Sequence, residues 1–324
     1  MNCSLRLVLA FAAMAFAQQV AAQQSSPVER LIAQDVRLAG VAERMLGANS
    51  ALCRRLMPLT GLVLHSRDQY RAEVAGDAFA NGSVAVAGVV PGSPAAGAAV
   101  ASRDGLVAIV GHSTSAMTAV GEAPLRDTAF DVLADQPAPG PIALTLARGG
   151  EERALSIDAS AGCRALVEIR AADSLDARSD GRVIQVNYGL ALAATDAELA
   201  VVFAHELGHL VLEHRRRLEA AGVEKGFFGE FGRNQRLNRQ VEVEADRISV
   251  HLLANAGYDP AIAPAFWRSK LGRRAGGGIL RSSTYPSAEG RARQLEREIA
   301  DFLAGGSGPS WPGHLLARRD APFD

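Results

Sequence analysis

The sequence has little of several features that mark particular classes of protein. Its 34 lysine and arginine residues are balanced by 35 acidic residues, so a net charge of −1 leaves no strong basic field for nucleic acid or acidic lipid. After the first 22 residues, no apolar run reaches the roughly 20 residues that span a bilayer. Aromatic residues make up only 5% of the chain. Polyanion binding is therefore not the default explanation, no membrane span is expected after residue 22, and the function must be read from local motifs.

The start of the chain has the pattern of a targeting signal. Arg6 is followed by an apolar run from Leu7 to Ala17, and the segment ends in Val-Ala-Ala at residues 20–22. This run is too short to cross a bilayer, and the small residues suit signal peptidase. We therefore expect a signal peptide at 1–22 and export, with a location in the periplasm of a Gram-negative-type bacterium. An uncleaved anchor is the alternative.

Cysteine is also scarce, with three residues in the whole chain. Removal of the signal peptide takes Cys3 and leaves Cys53 and Cys163. In an oxidising compartment an isolated pair usually forms a disulfide. This one would close a loop of about 110 residues, which is worth roughly 4–5 kcal/mol in the chain-entropy model. Two buried free thiols are the alternative.

Hydrophobic patterning divides the remaining chain into helical and β-rich parts. Residues 27–52 carry apolar residues at helical spacing. From Gly61 to about Ile157, short β-rich runs alternate with Gly, Pro and Ser turns, with one helical pattern at Thr128–Ala134. Three further segments are expected: strands at Ala165–Arg170 and Arg182–Asn187, and a poorly ordered tail at 305–324.

The sharpest motif stands in the middle of the chain. Thr195 and Glu198 form a capping box, so a helix is expected to begin there. It contains an HExxH motif, in which His205 and His209 share one helical face and can reach one zinc ion. Glu206 is rotated by about 100°, which places its carboxylate beside the metal. That is the position for a base that takes a proton from zinc-bound water.

A catalytic zinc site needs a third protein ligand and an open position. A metzincin would place another histidine at position 215, which is Arg215 in this chain. His214 would lie roughly half a turn away from His205 on a continuous helix. We therefore interpret His214 as a surface or outer-layer residue.

The better candidates for the third ligand lie in the next predicted helix. Glu242 and Asp246 are four residues apart and share a face, whereas Glu244 points away from it. Glu242 could bind the metal while Asp246 accepts the outer N–H of a ligating histidine. The alternative is a solvated acidic face paired with Arg239 and Arg247. The upstream HExxH favours the metal site.

HExxH followed by Glu-x-x-Ala-Asp resembles the gluzincin family of the HtpX heat-shock protease, the Oma-type peptidases and the CAAX prenyl endopeptidases. Three further segments support this resemblance: Val186–Leu190, Ala256–Pro260 and Thr284–Ser287. The resemblance implies a zinc site with His205, His209 and Glu242 as ligands, Glu206 as the base and Asp246 in the outer layer.

The resemblance also implies catalytic roles for two residues near the last predicted helix. Where this chain has Tyr285, the family usually has a histidine that helps to polarise the substrate carbonyl. A phenol can donate a hydrogen bond to an oxyanion, so Tyr285 is expected to take that role. Arg291 matches an arginine that lies close to the acidic ligands in the family. An ordinary arginine on a helix surface is the alternative.

The β-rich segment has a resemblance of its own. Val89–Ala96, which contains Pro-Gly-Ser-Pro-Ala, and Gly105–Gly111 resemble a bacterial PDZ domain. Such domains bind a peptide or a C-terminal tail as an added strand beside a helix. The chain departs from the family by reading Asp104-Gly105 where Gly-Asp is usual. A purely structural β insert is the alternative.

Two further segments are candidates for substrate contact. Strand Arg182–Asn187, if it lies at a sheet edge above the cleft, would hold an extended substrate by main-chain pairing. The loop Gly222–Leu237 contains Phe227, Phe228 and Phe231 among glycines. It is either a lid, a hydrophobic contact with the substrate or a small satellite core.

These patterns predict an α+β fold, with a mainly helical zincin-type catalytic domain, a small β-sheet and an inserted β-rich PDZ-like domain. The predicted segments are a signal peptide at 1–22, a helical part of the peptidase domain at 23–60, the insert at 61–160, the catalytic domain at 161–304 and a flexible tail at 305–324.

The predicted function is that of an exported metalloendopeptidase with one zinc ion per chain, acting on misfolded or unassembled envelope proteins. The expected partners are polypeptide substrates and a peptide at the PDZ-like domain, without nucleic acid. The alternative is a PDZ-bearing binding or chaperone-like protein with a structural zinc and weak or no proteolysis. An intramembrane protease of the site-2 type is excluded because the charged run Glu213–Arg217 follows His209 so closely.

Overall fold

The computed structural model of the chain describes residues 26–223, 232–275, 287–303 and 308–323. The predicted signal peptide at 1–22 lies outside the described residues. So do Tyr285 and residues 224–231 of the aromatic loop, which include its three phenylalanines. The described part combines helices with two β-sheets, which confirms the α+β class.

The helices fall mainly at the two ends of the described chain. They are α1 (Pro27–Ala48), α2 (Ala72–Ala75), α3 (Pro94–Gly97), α4 (Leu125–Ala134), α5 (Tyr188–Ala193), α6 (Asp196–Val211), α7 (His214–Ala220), α8 (Gly232–Asn255), α9 (Ile262–Arg268), α10 (Lys270–Ala275), α11 (Ala288–Phe302) and α12 (Gly313–Leu316).

The strands lie between α1 and α5. They are β1 (Leu56–Leu59), β2 (Leu62–Ser66), β3 (Val84–Val89), β4 (Gly105–Ile109), β5 (His112–Ser113), β6 (Gly140–Arg148), β7 (Glu151–Cys163), β8 (Leu166–Arg170), β9 (Ala177–Ser179) and β10 (Val183–Asn187).

The first helix supports the rest of the fold. Ser26 caps α1 and Glu29 completes a capping box, while Pro27 occupies the first turn, where its missing N–H costs nothing. One face of α1 is buried, from Leu38 to Leu46, and it packs against both the small sheet and α6. The predicted helix at 27–52 is thus present, and it ends at Ala48.

The large sheet has the strand order β1-β7-β6-β4-β3-β2, and β5 pairs with β4. All its pairings are antiparallel. The β6–β7 hairpin turns at Gly149 and Gly150, whose φ angles of 61° and 86° are positive as a type I′ turn requires. The inner face of this sheet carries its own cluster of buried residues, including Val84, Leu106 and Ile142. This cluster extends from Leu64 to Ala159 and is separate from the main core, to which Met57, Leu59 and Cys163 belong.

A disulfide joins the two ends of this β-rich segment. Cys53 is bonded to Cys163, with their Cα atoms 5.5 Å apart. Next to it, β1 and β7 begin their antiparallel register with Leu56 opposite Cys163. The chain thus enters and leaves the segment at one point, and the predicted pairing is present in the structure.

The small sheet has the strand order β8-β10-β9, with β8 and β10 parallel. Strand β10 is therefore central, so Arg182–Asn187 does not meet the condition of lying at a sheet edge, under which it would have held a substrate. Both sides of β10 bond to neighbouring strands, so within the described residues the outer strands of this sheet are β8 and β9 (Ala177–Ser179). Strand β9 packs against α6, the helix that contains HExxH.

The main core joins the two ends of the chain. It contains buried residues of α1, α6, α8 and α11, and also Leu315 and Leu316 of α12. The prediction of a poorly ordered tail at 305–324 is therefore wrong for residues 308–323, because two leucines near its middle are buried. None of the helices among the described residues is both long and apolar enough to cross a membrane.

Candidate metal centre

The HExxH motif lies in the second half of α6. Thr195 caps the helix, and Glu198 returns the bond to the Thr195 backbone, so the capping box forms where the sequence predicts it. Gly208 faces α8 at close range, since a Cβ there would lie 2.7 Å from Ile248 Cγ2. The absence of a side chain at Gly208 therefore allows α6 and α8 to pack closely together.

This packing brings Glu242 of α8 next to both histidines of the motif. His205 Nε2 lies 3.2 Å from His209 Nε2 and 3.2 Å from Glu242 Oε2. His209 Nε2 lies 3.6 Å from Glu242 Oε1. Three donor atoms from two helices thus surround one point in space, and all three residues are partly buried.

These separations fit a tetrahedral zinc ion. With zinc bonds of about 2.0–2.1 Å, two ligand atoms at a tetrahedral angle lie about 3.3 Å apart. The observed 3.2, 3.2 and 3.6 Å bracket that value. Two imidazoles and one carboxylate are also a donor set used by catalytic zinc. The chemistry and the spacing of His205, His209 and Glu242 therefore both suit zinc.

A second group of two histidines and one glutamate differs in spacing. His251 Nε2 and His314 Nε2 lie 3.1 and 2.7 Å from the same oxygen of Glu298. Arg247 Nε lies 2.6 Å from the other Glu298 oxygen. The 2.7 Å contact is a hydrogen-bond distance, clearly shorter than the spacing of two zinc ligands, and Arg247 already supplies a positive charge to Glu298. The group acts as a network that joins α8, α11 and the C-terminal segment.

The outer nitrogen of His205 faces an acidic residue of α8. His205 Nδ1 lies 3.0 Å from Asp246 Oδ1, and Arg291 Nε donates to Asp246 Oδ2 at 2.6 Å. The guanidinium of Arg291 stacks on Trp267, 3.4 Å from the ring centroid. Asp246 therefore stands where the sequence predicts it. Arg291 is buried and paired with Asp246, and its contacts orient that carboxylate.

The outer nitrogen of His209 faces His214, and Glu244 lies behind that ring. His209 Nδ1 lies 2.9 Å from His214 Nδ1, and His214 Nε2 lies 3.2 Å from Glu244 Oε2. His214 and Glu244 are each 2% exposed, so the interpretation of His214 as a surface residue is wrong and only its outer-layer alternative stands. Arg217 donates to Glu244 at 2.5 Å.

The reason for this difference is a break in the helix. α6 ends at Val211 and α7 begins at His214, with Glu213 in the left-handed conformation (φ 50°, ψ 40°). A continuous helix would have turned His214 away from His205 and His209. No glycine or proline marks the break, so the sequence carried no signal for it.

The acidic residues of the site differ in the direction in which their pKa values are shifted. Burial raises the pKa of Glu206 to about 7. Burial also acts to raise the pKa of Glu242, but His209, His205 and Arg291 outweigh it and hold that pKa below its ordinary value. For Asp246, Arg291 and His205 likewise outweigh burial and lower the pKa. Glu206 is thus the carboxylate whose proton affinity is raised.

Comparisons with known proteins agree with this geometry. A model of peptidase family M48 matches residues 164–228, which include His205, Glu206 and His209. The chain is 36% identical over 123 residues to the mitochondrial metalloendopeptidase OMA1 of Arabidopsis thaliana, across 31% of this chain and 24% of that protein. It is 27% identical over 141 residues to the OMA1 metalloendopeptidase of Schizosaccharomyces pombe, across 37% of this chain and 42% of that protein.

These relatives bear on the predicted location of the protein and on how much of the chain the similarity covers. Both are named as mitochondrial proteins of eukaryotes, so the expectation of a bacterial periplasmic location is wrong. The chain matches less than half the length of either relative. Residues 164–228 are therefore similar to peptidase family M48, and the likeness to the two metalloendopeptidases extends over about a third of this chain.

Proposed function

We propose that this chain hydrolyses internal peptide bonds of polypeptides at a single zinc ion held by His205, His209 and Glu242. The observation that supports this most directly is the spacing of the three donor atoms, which matches tetrahedral zinc ligation. With three protein ligands, a fourth position is left for water or substrate, as catalytic zinc sites require.

Glu206 is the proposed general base. A zinc ion bound here would polarise the scissile carbonyl and lower the pKa of its water toward about 7. Glu206 takes a proton from the attacking water and passes it to the amine nitrogen of the leaving group. Its burial raises its proton affinity, which suits a group that both accepts and returns a proton near neutral pH.

We propose that the substrate backbone binds along the free edge of β9. Among the described residues, Ala177–Ser179 pairs with a strand on one side only, which is β10, and it packs against α6. An extended polypeptide can add to such an edge through main-chain hydrogen bonds, which do not depend on side-chain identity. We infer that the substrates are unfolded or misassembled proteins, whose backbones are free to pair.

Tyr285 completes the proposal as the donor to the oxyanion. This role rests on the resemblance and on the ability of a phenol to donate to a developing negative charge. A Tyr285→Phe variant is expected to bind zinc normally and to lose most of its turnover. Unchanged turnover would remove Tyr285 from the mechanism.

The test of the hydrolase uses Glu206→Gln beside Glu242→Gln, with casein as an unfolded substrate. Wild-type protein is expected to bind one zinc ion and to degrade casein until a chelator is added. Glu206→Gln should keep zinc and lose turnover by several orders of magnitude, whereas Glu242→Gln should lose zinc as well. Zinc-bound wild-type protein without proteolysis would instead support the binding protein with a structural zinc.

We also propose that the β-rich segment binds the end of a peptide. Strand β2 is at the end of the large sheet, and α4 packs beside it. Between them lies a cavity of about 280 Å³, lined by Leu64, Phe130 and other largely apolar residues. His65 Nε2 lines it and has no hydrogen-bond partner among the described residues. Helix α1 lines the opposite wall of the cavity, so only the last few residues of a peptide fit into it.

The peptide site is tested by fluorescence anisotropy with labelled peptides that end in an apolar residue. Phe130→Arg places a charged side chain in the cavity and is expected to abolish binding. The control is Val120→Arg in the same segment, because Val120 is 72% exposed and is not one of the lining residues. Equal binding by both variants, or none by wild-type protein, would favour a purely structural insert.

A further inference from the structure

We propose that His214 and Glu244 are positioning residues that fix the ring of His209 for metal binding. The inference deepens the proposed function, since it assumes the same zinc site. His209 Nε2 faces the metal position, so its Nδ1 must satisfy its hydrogen bond elsewhere. The nearest partner given by the structure is His214 Nδ1 at 2.9 Å, and His214 Nε2 in turn lies 3.2 Å from Glu244 Oε2.

The hydrogen-bond roles along this chain follow from one requirement. If the lone pair of His209 Nε2 faces a metal, the proton of that ring is on Nδ1. His209 Nδ1–H then donates to the lone pair of His214 Nδ1. The proton of neutral His214 is consequently on Nε2, from which it donates to the Glu244 carboxylate. Each atom has one role, and metal binding at one end fixes the tautomers of both rings.

The far end of the chain is anchored by several donors. Arg217 and Gln240 donate to Glu244 at 2.5 and 2.9 Å, and Arg318 lies 3.3 Å from it. The guanidinium of Arg217 stacks on Phe323, 4.4 Å from the ring centroid. The C-terminal segment thus covers this network. Hydrogen bonds shielded from water hold their geometry more firmly than exposed ones.

The outer nitrogens of His205 and His209 are therefore both linked to a buried carboxylate, one directly and the other through a second imidazole. His205 is oriented directly by Asp246, which Arg291 holds in place. Support for His209 passes through an additional imidazole before it reaches a carboxylate held by arginine. The helix break at Glu213 is what places that imidazole within reach. Outer-layer partners of this kind typically change metal affinity by about 10–100-fold when they are removed.

The test measures zinc affinity of the full-length protein by chelator competition. His214→Leu removes both hydrogen bonds and is expected to weaken zinc binding by about 10–100-fold. His214→Gln keeps a carbonyl oxygen to accept from His209 and an amide to donate to Glu244, so it should recover most of the affinity. The same variants loaded with Co²⁺ should show shifted d–d absorption bands for Leu and wild-type-like bands for Gln.

The matched control is His251→Leu. His251 is also a buried histidine bonded to a glutamate, but it belongs to the network around Glu298. Loss of packing and hydrogen bonds is comparable in the two leucine variants, so a merely structural role predicts comparable effects on zinc. The positioning role predicts weakened zinc binding for His214→Leu alone.

The outcomes separate this inference from the proposed function. Equal zinc affinities and Co²⁺ spectra for wild-type, His214→Leu and His251→Leu proteins would overturn the positioning role while leaving proteolysis intact. Weakened zinc binding in His214→Leu without casein cleavage by wild-type protein would support the positioning role and overturn the hydrolase. If wild-type protein binds no zinc, the positioning role and the proposed hydrolase are both overturned. If His214→Leu does not fold, Glu244→Gln replaces it, with weaker zinc binding expected and unchanged binding counting against the role.

Discussion

Arg291 spans both carboxylate oxygens of Asp246, and Asp246 in turn contacts the outer nitrogen of His205. The pair is almost completely buried, and the guanidinium lies flat on Trp267. A planar, bidentate donor fixes the direction of a carboxylate in a way that a point charge cannot. Arg291 therefore contacts the candidate metal site through Asp246 and His205.

Arg291→Lys tests this geometry because it keeps the positive charge and removes the planar, bidentate guanidinium group. We expect zinc affinity to fall by about 10-fold or more. The free energy of unfolding should fall as well, because lysine leaves a buried ion pair with fewer hydrogen bonds. The fall should be smaller than the roughly 3–5 kcal/mol that removal of one charge from a buried pair costs. Chelator competition and urea denaturation measure the two effects. Arg268→Lys is the control, since Arg268 also pairs with both oxygens of a carboxylate, in Glu289 and again in Glu296, but at the surface. A zinc affinity that stays unchanged in Arg291→Lys would contradict the role.

Gly208→Ala tests the close approach of α6 and α8. Alanine is the better helix former by about 1 kcal/mol, yet its Cβ would lie 2.7 Å from Ile248 Cγ2 and 3.1 Å from the Ala245 carbonyl. We expect net destabilisation of about 1–3 kcal/mol. Zinc binding should weaken by several-fold, because separated helices move Glu242 away from the histidines. Thermal unfolding and zinc competition provide the measurements.

The control for this substitution is Gly40→Ala in α1. A Cβ at Gly40 would meet only Val90 Cγ1, at an ordinary distance of 3.8 Å. The same change of residue should therefore stabilise the protein by about 0.5–1 kcal/mol and leave zinc affinity as it is. Destabilisation by both alanines would show that the Gly208 effect is not specific to the helix contact.

Asp35 predicts a dependence of stability on pH that does not involve the metal site. Its Oδ1 accepts the Ile169 N–H at 2.6 Å, and burial raises its pKa from 3.8 to about 7. The folded state thus binds a proton that the unfolded state has released between pH 4 and 7. The free energy of unfolding should therefore fall as pH rises through this range, by an amount on the order of 2–4 kcal/mol.

Asp35→Asn removes the charge and keeps the oxygen that accepts from Ile169. We expect a flatter stability profile between pH 4 and 7 and a variant more stable than wild type at pH 8. Urea denaturation at a series of pH values measures this. Asp259→Asn is the control, because Asp259 also accepts a backbone N–H but is exposed. A profile for Asp35→Asn that is parallel to wild type would show that another group is responsible.

The disulfide predicts a large effect on the unfolded state. Cys53 and Cys163 are 110 residues apart, and a cross-link of that length is worth about 4–5 kcal/mol in the chain-entropy model. Reduced protein should therefore unfold at a clearly lower urea concentration than oxidised protein. Alkylation and mass spectrometry establish the redox state of each sample. Coincident unfolding curves would mean that the pairing of β1 with β7 already restrains the segment.

Much of the candidate site was predictable because its residues are related by helical periodicity. His205 and His209 on one side, and Glu242 and Asp246 on the other, share helical faces at a spacing of four residues. The capping box at Thr195 fixed the start of α6 within a residue. These are local properties, which the backbone geometry of a helix determines without reference to the rest of the chain.

The errors came from contacts between segments that are distant in sequence. The central position of β10 depends on β9 pairing with it, and the packing of α12 depends on leucines that reach a core built by α1, α6 and α8. Neither choice of partner is encoded in the residues of the element itself. Each was decided by which surfaces remained to be buried once the larger elements had packed.

The sequence by itself thus determined which chemistry is available: two imidazoles and a carboxylate on helices, a base beside them and one pair of cysteines. Only the tertiary structure decided how that chemistry is supported. It brought α8 against Gly208, and it turned the chain at Glu213 so that His214 and Glu244 could contact the second histidine. Side-chain spacing within a helix follows from its fixed pitch, whereas a helix break and the choice of neighbour follow from the free energy of the whole packed core.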